Sequence, residues 1–244
     1  LITSSVTDEL NLCTQKKSKV IGISLKDRGA VLPAGHLADA AYWFDVKTGN
    51  FITSTYYVQK LPEWLDKFNA RKLPDQYLTR DWTTLYPIEQ YTESGPDNNP
   101  YEAKLWGKQT PTFPYKLKEL RKKGDDYDML QLVPYGNDFT LEMVKAILAG
   151  EKMGQGESTD FIAVSFSTPD KIGHEVGPNS IELEDIYLRL DKNLEDLINT
   201  LEEKVGKGNY TVFLTADHAI PDIALSATDN RVPSGYYHSP TLKG

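Results

Sequence analysis

Cysteine is almost missing from these 244 residues, with Cys13 standing alone. A single thiol cannot close an internal disulfide, and zinc centres built on several thiolates are excluded. Positive charge is also in short supply: 27 Lys and Arg face 35 Asp and Glu, for a net charge of -8 and a pI near 5.1. That balance argues against a nucleic-acid surface, which needs a basic face. Any anion site must therefore be locally positive on an acidic background. Long apolar runs are lacking too. The longest are of strand length, well short of the roughly 20 residues that a membrane span requires. No basic, apolar, small-residue leader pattern opens the chain, which starts at Leu1 and ends at Gly244. It reads as a piece of something longer.

What is present is the composition of an ordinary globular protein, 39% hydrophobic and 25% charged, enough for one large domain or two small ones. Three apolar runs stand out. Residues 19–25 lead into Lys26-Asp27-Arg28, residues 161–166 into Asp170 and His174, and residues 210–216 into Asp217-His218. Runs of this kind form parallel α/β sheets, which bind ligands at the carboxyl ends of their strands. As parallel neighbours, the three would turn two Asp/His pairs and a Lys/Arg pair toward one crevice, a metal site beside an anion site.

Around these runs the periodicity predicts helices over residues 5–16, with Val6, Leu10 and Cys13 on one face, and over 138–149, with Leu141, Val144, Ile147 and Leu148 inward and Gly150 as the stop. A third helix starts at an Asn179 N-cap with Glu182 completing a capping box, carries Ile186, Leu190, Leu194, Leu197 and Leu201 as its buried stripe, and ends at Gly206. The fold class that follows is α/β, a mainly parallel sheet flanked by helices. Residues 46–133, rich in Tyr, Trp and Pro, read as an insertion or cap between two parts of the α/β domain, 1–45 and 134–244. Within that region Lys47-Thr-Gly-Asn50 marks a hairpin turn, and Pro62 opens a short helix.

Phosphate-ester chemistry needs charge stabilised on the attacking, leaving and non-bridging oxygens, and zinc accepts both imidazole nitrogen and carboxylate oxygen. Asp170 and His174 are expected in one loop, where Gly173 lets the backbone turn both side chains toward one ion. Asp217 and His218, adjacent and just past a strand end, can each reach a ligand position. Titratable pairs at strand ends inside an α/β core are costly unless used. Each motif alone also has a bland reading, Lys26-Asp27-Arg28 as a solvated turn above all. It is their coincidence at three strand ends that points to a site. His36, in a turn, reads as a structural hydrogen-bonder, and His238 as a minor candidate for metal contact. The aromatics at 42–44 and 56–57 read as core.

At these residues the chain resembles the alkaline phosphatase superfamily and, within it, the PafA-type bacterial phosphate-monoester hydrolases. The resemblance rests on residues 18–45 and 134–218, including Gly-Asn-Asp-Phe-Thr, Gly-His-Glu-Val-Gly-Pro-Asn-Ser and Thr-Ala-Asp-His. It implies that Asp170 and His174 are ligands of one zinc, that Asp217 and His218 are ligands of a second, and that Lys26 and Arg28 hold the non-bridging phosphoryl oxygens. It also implies a small-molecule phosphate monoester as substrate and a periplasmic or secreted location. The family's upstream Asp ligand, Thr nucleophile and phosphate-binding Asn, and its later third His ligand, have no identifiable counterpart here. Each zinc would then find two protein ligands, and this chain would bind zinc weakly or not at all and lack activity alone. The competing readings are a phosphodiesterase or nucleotide pyrophosphatase of the same superfamily, and a non-catalytic α/β domain.

Overall fold

The computed structural model describes residues 3–122, 126–228 and 231–235. In chain order the elements are α1 (Val6–Cys13), β1 (Val20–Ser24), α2 (Asp27–Ala34), β2 (Ala40–Asp45), β3 (Asn50–Ile52), α3 (Glu63–Ala70), α4 (Leu73–Tyr77), β4 (Asp81–Trp82), β5 (Tyr115–Lys116), α5 (Leu117–Leu120), α6 (Tyr135–Gly150), β6 (Phe161–Ser165), α7 (Thr168–Val176) and α8 (Ile181–Lys204). The central sheet runs β3-β2-β1-β6. Strand β1 is parallel to both β2 and β6, and β3 returns antiparallel through the expected hairpin. The fold is thus α/β with a mostly parallel sheet between helices.

The centre of the sheet shows why the sequence folds this way. All five residues of β1 are buried, as a strand covered on both faces must be. Gly22 lets α2 lie directly against it: a Cβ there would stand 2.1 Å from the Ala30 carbonyl oxygen. The β1–β6 register pairs Ser24 with Ser165, so both strands end at one level. One continuous apolar core joins sheet residues Ile21, Ile23 and Phe44 to Phe51, Leu65, Trp82 and Tyr115 from the 46–133 region. Asp185, fully buried on α8, accepts hydrogen bonds from Trp82 Nε1, the Leu85 amide, the Tyr91 hydroxyl and Arg189 Nε. This carboxylate ties the aromatic region to α8.

Four expectations need correction. Residues 210–216 form no strand: they join no ladder among the described residues, and Val212, Phe213 and Leu214 are exposed. A buried strand needs a paired neighbour and a covering layer, and beside β6 the segment makes one described ring contact, Phe161 with Phe213 at 6.0 Å. Helix α1 turns its polar side inward, because Thr7, Asp8 and Asn11 bond the Ala34 carbonyl, the Leu37 amide and the Leu37 carbonyl at the end of α2; Val6 faces out. The N-cap of α8 is Ser180, whose hydroxyl accepts from the Leu183 amide. That frees Glu182 from any capping role. Asp170 and His174 sit on a helix, α7, with Pro169 in its first turn. The helix at 135–150 and the end of α8 at Gly206 are as expected.

Because the Ala30 carbonyl cannot retreat without unwinding α2, Gly22→Ala is expected to cost about 1–3 kcal/mol. Urea denaturation measures this, and an unchanged midpoint would show that α2 does not press on β1.

Candidate metal and anion site

The common level at which β1 and β6 end sets the site. Ser24 Oγ bonds Ser167 Oγ at 2.9 Å and accepts from the Lys26 amide at 3.0 Å. The two chain exits are thereby stitched together. Lys26 then reaches across and pairs its ammonium with Asp170 Oδ2. One turn along α7, His174 Nε2 lies 3.1 Å from Asp170 Oδ1, and His218 Nε2 lies 3.3 Å from the same oxygen. The spacing of four between Asp170 and His174 puts both on one helix face, a placement that serves as well as the expected loop.

His218 arrives from a segment anchored on α7. Ile220 packs where a Cβ on Gly173 would be, with its Cδ1 only 2.2 Å from that point, and Ile223 packs likewise against Gly177. The value of Gly173 is therefore the space above it. Asp217 is 89% exposed, with Oδ2 3.7 Å from His218 Nε2, and does not join the three donors gathered at Asp170 Oδ1. The structure thus brings together Lys26, Asp170, His174 and His218, with Arg28 exposed on the rim of the same cavity and Asp217 outside. His36 is exposed and stands apart, and His238 lies outside the described residues.

The electrostatics suit a cation. Burial opposes the Asp170 charge, yet the Lys26 ammonium and the two imidazoles outweigh it and hold the carboxyl below its usual range. His218 is pushed up, chiefly by the Ala219 carbonyl and the Asp217 carboxylate. Asp170 Oδ1 is buried and accepts no hydrogen bond of normal geometry among the described residues, although two imidazole nitrogens flank it. An orphan oxygen with two nitrogens around it, all within 4.8 Å of one another, is a donor set that fits zinc or a similar ion. Among the described residues this is the only group of three such donors.

A cavity of about 550 Å³ opens beside it, lined by Lys26, Arg28, Asp170, His174 and His218 and walled by Trp43, Phe44, Ile52 and Gln131. Trp43 was missed in the sequence because it sits in an aromatic run. The period-two alternation of a strand was the available signal, since Tyr42 and Phe44 point to the core and Trp43 to the other face.

With the geometry described, the similarities can be placed. The family profile described as type I phosphodiesterase / nucleotide pyrophosphatase matches residues 9–233, which defines the class. "Alkaline phosphatase PhoV" of Synechococcus elongatus is 53% identical over 96% of this chain and 42% of its own length. "Calcium-transporting ATPase" of Myroides odoratus is 47% identical over 100% of this chain and 44% of its own length. The crystal structure of wild-type alkaline phosphatase PafA superposes with a TM-score of 0.90 at 47% identity, covering 96% of this chain and 45% of that one. The chain belongs to the type I phosphodiesterase / nucleotide pyrophosphatase family, within the alkaline phosphatase superfamily, and is of the PafA/PhoV type. It spans less than half the length of the curated relatives it matches.

Three converging donors lead to a definite expectation for this chain: one zinc ion binds per 244 residues. Competition with a chromophoric chelator should show His218→Ala and His174→Ala each weakening it by at least roughly 10- to 100-fold, the loss found when only a residue supporting a ligand is removed. Asp217→Ala should leave the affinity within about twofold. Equal losses for Asp217 and His218 would mean that the exposed carboxylate also serves the ion.

Proposed function

We propose that the full-length protein hydrolyses phosphate monoesters, with metal held by Asp170, His174 and His218 and the phosphoryl group held by Lys26 and Arg28. The observation that carries this reading is the position of two cations, Lys26 held by Asp170 and Arg28 exposed on the rim, along the cavity that the metal donors line. A divalent ion bound there would act as a Lewis acid on a phosphoryl oxygen. The remaining work falls to the protein. Lys26 presents three N–H donors as a compact charge, and Arg28 a planar fork matched to two phosphoryl oxygens. A monoester carries two negative charges where a diester carries one, so a pair of cations favours it by Coulomb attraction.

The apolar wall of Trp43 and Ile52, neighbours across the β2–β3 ladder, excludes water from one side and accepts the organic part of the ester. No serine, threonine or cysteine is among the described residues lining this cavity. The nucleophile that completes the reaction is therefore proposed to be the threonine implied by the family resemblance, with this chain inactive by itself. The resemblance likewise supports zinc as the ion, a second metal position involving Asp217, and an extracytoplasmic location.

Diester or pyrophosphate hydrolysis is the second reading. It is favoured by the family description and by the apolar wall, which could seat a second organic group.

Lys26→Ala and Arg28→Ala in the full-length protein separate the two readings. The monoester specificity constant is expected to fall by about 100-fold or more for each, the scale of a lost preorganised donor. Diester hydrolysis is expected to fall by less than about tenfold. Equal losses on nitrophenyl phosphate and bis-nitrophenyl phosphate, or no loss on the former, would remove the monoester assignment.

A further inference from the structure

Outside the cavity, the molecule carries a second set of ionisable groups that the chemistry above does not use. Glu102 is 5% exposed and Glu182 not at all. Both oxygens of Glu102 and Oε2 of Glu182 accept no hydrogen bond of normal geometry among the described residues. The Tyr115 hydroxyl donates to the remaining oxygen, Glu182 Oε1. The contrast with Asp185, three residues further along α8, is informative. Equally buried, that carboxylate has four donors aimed at it. Buried carboxylates with so few donors are costly as anions and are held as neutral acids or by a cation.

The pair sits where a loop meets the site's main helix. Ser94 Oγ donates to the Ser180 carbonyl and to Glu184, and the Gly95 amide to the Asn179 carbonyl. At the other end of the same stretch, the Ala103 amide donates to the carbonyl of Glu175, the residue after His174. Residues 94–103 thus span the corner between α7 and α8, with Glu102 beside one tether and Glu182 in the first turn of α8.

We propose that Glu102 and Glu182, buried at this corner, are held as neutral acids and so let residues 94–103 clamp onto the α7–α8 corner, and that loss of a proton there at alkaline pH loosens the clamp next to His174. The groups facing the pair are few. Asp97, on the same loop, adds negative charge and accepts from the Phe113 amide at 3.2 Å. Tyr115 on β5 donates its hydroxyl from an aromatic nest of Trp82, Phe113 and Trp106. Among the described residues, Lys108 is the one cation acting on Glu182. Its ammonium is already taken up by the Thr112 and Pro114 carbonyls and by the Tyr115 ring, 4.2 Å away.

Burial first, then repulsion by the Glu182 charge, pushes Glu102 up to about 8, with Asn99 offsetting only part of it. Burial first, and the Asp97 charge besides, pushes Glu182 up to about 7. The ordinary value is 4.5. Acids raised in the folded state bind protons more tightly than in the unfolded chain, so their contribution is complete below about 4.5. It fades as pH rises through about 7 to 8. A divalent cation is the weaker occupant, because no third carboxylate or imidazole converges on the pair among the described residues.

Thermal unfolding of the full-length protein with chelator present, at pH 6 and pH 9, tests the clamp. Wild type should lose stability between the two, and Glu102→Gln, an amide copy of the neutral acid, should lose less. At pH 9 the variant should melt above wild type by about 2–4 °C or more. Glu182→Gln should behave alike. Equal pH slopes in all three proteins would overturn the proposal, as would added calcium or magnesium raising the wild-type melting point at pH 9 but not that of Glu102→Gln. Should neither variant fold, carbon-13 NMR of the wild-type carboxyls decides. A glutamate titrating near pH 7 to 8 supports the clamp, and glutamates that all titrate below about pH 5.5 refute it.

Discussion

The Asp170 carboxylate, held at the end of β6 by the Lys26 ammonium from the end of β1, is the contact on which the site depends. It exists because two parallel strands stop at the same level and their exits are joined through Ser24 and Ser167. With one oxygen neutralised by Lys26, the other faces two imidazoles. A partly buried ion pair of this kind is a weak source of stability once its desolvation is counted. Its persistence at a cavity wall is better understood through what the charges do there. Lys26 stands where an anion enters, and Asp170 where a cation does.

Gly173 and Gly22 show the same logic in the backbone. Each removes a side chain so that something else can come close: Ile220 above α7 in the first case, α2 against β1 in the second. The first brings His218 to Asp170, and the second sets the start of α2, and with it Lys26 and Arg28, over the strand end. The anion-binding and cation-binding halves of the cavity are therefore each set by a close approach rather than by a long-range tie.

Much of this was legible in the residues. The β1 run, the hairpin at 47–50, the stripe of α8 and the polar endings of β1 and β6 follow from periodicity and turn chemistry. Recognition of the superfamily rested on short strings around the same positions. Residues 210–216 misled because an apolar run says what a strand would bury, and nothing about whether a neighbour is there to pair with it. The outward face of α1 misled for the opposite reason. Its polar residues are inside because carbonyls and amides around the end of α2 need partners. The Pro169 start and the spacing of four between Asp170 and His174 did carry the signal for α7. The glycine between them drew the reading toward a loop. Nothing in sequence could separate Asp217 from its neighbour His218: the imidazole reaches Asp170 from a segment packed on α7 through Ile220, while the carboxylate beside it stays exposed. Glu102 and Glu182 were beyond reach as well, being 80 positions apart and brought together by the docking of a loop.

The central claim is that Asp170 gathers His174 and His218 into one metal centre on a wall shared with Lys26. Anomalous diffraction at the zinc edge from zinc-loaded crystals tests it most directly. The account predicts a peak within bonding distance of Asp170 Oδ1 and of the Nε2 atoms of His174 and His218. Saturating zinc with no peak at those atoms, or a peak with His218 turned away from it, would contradict the account.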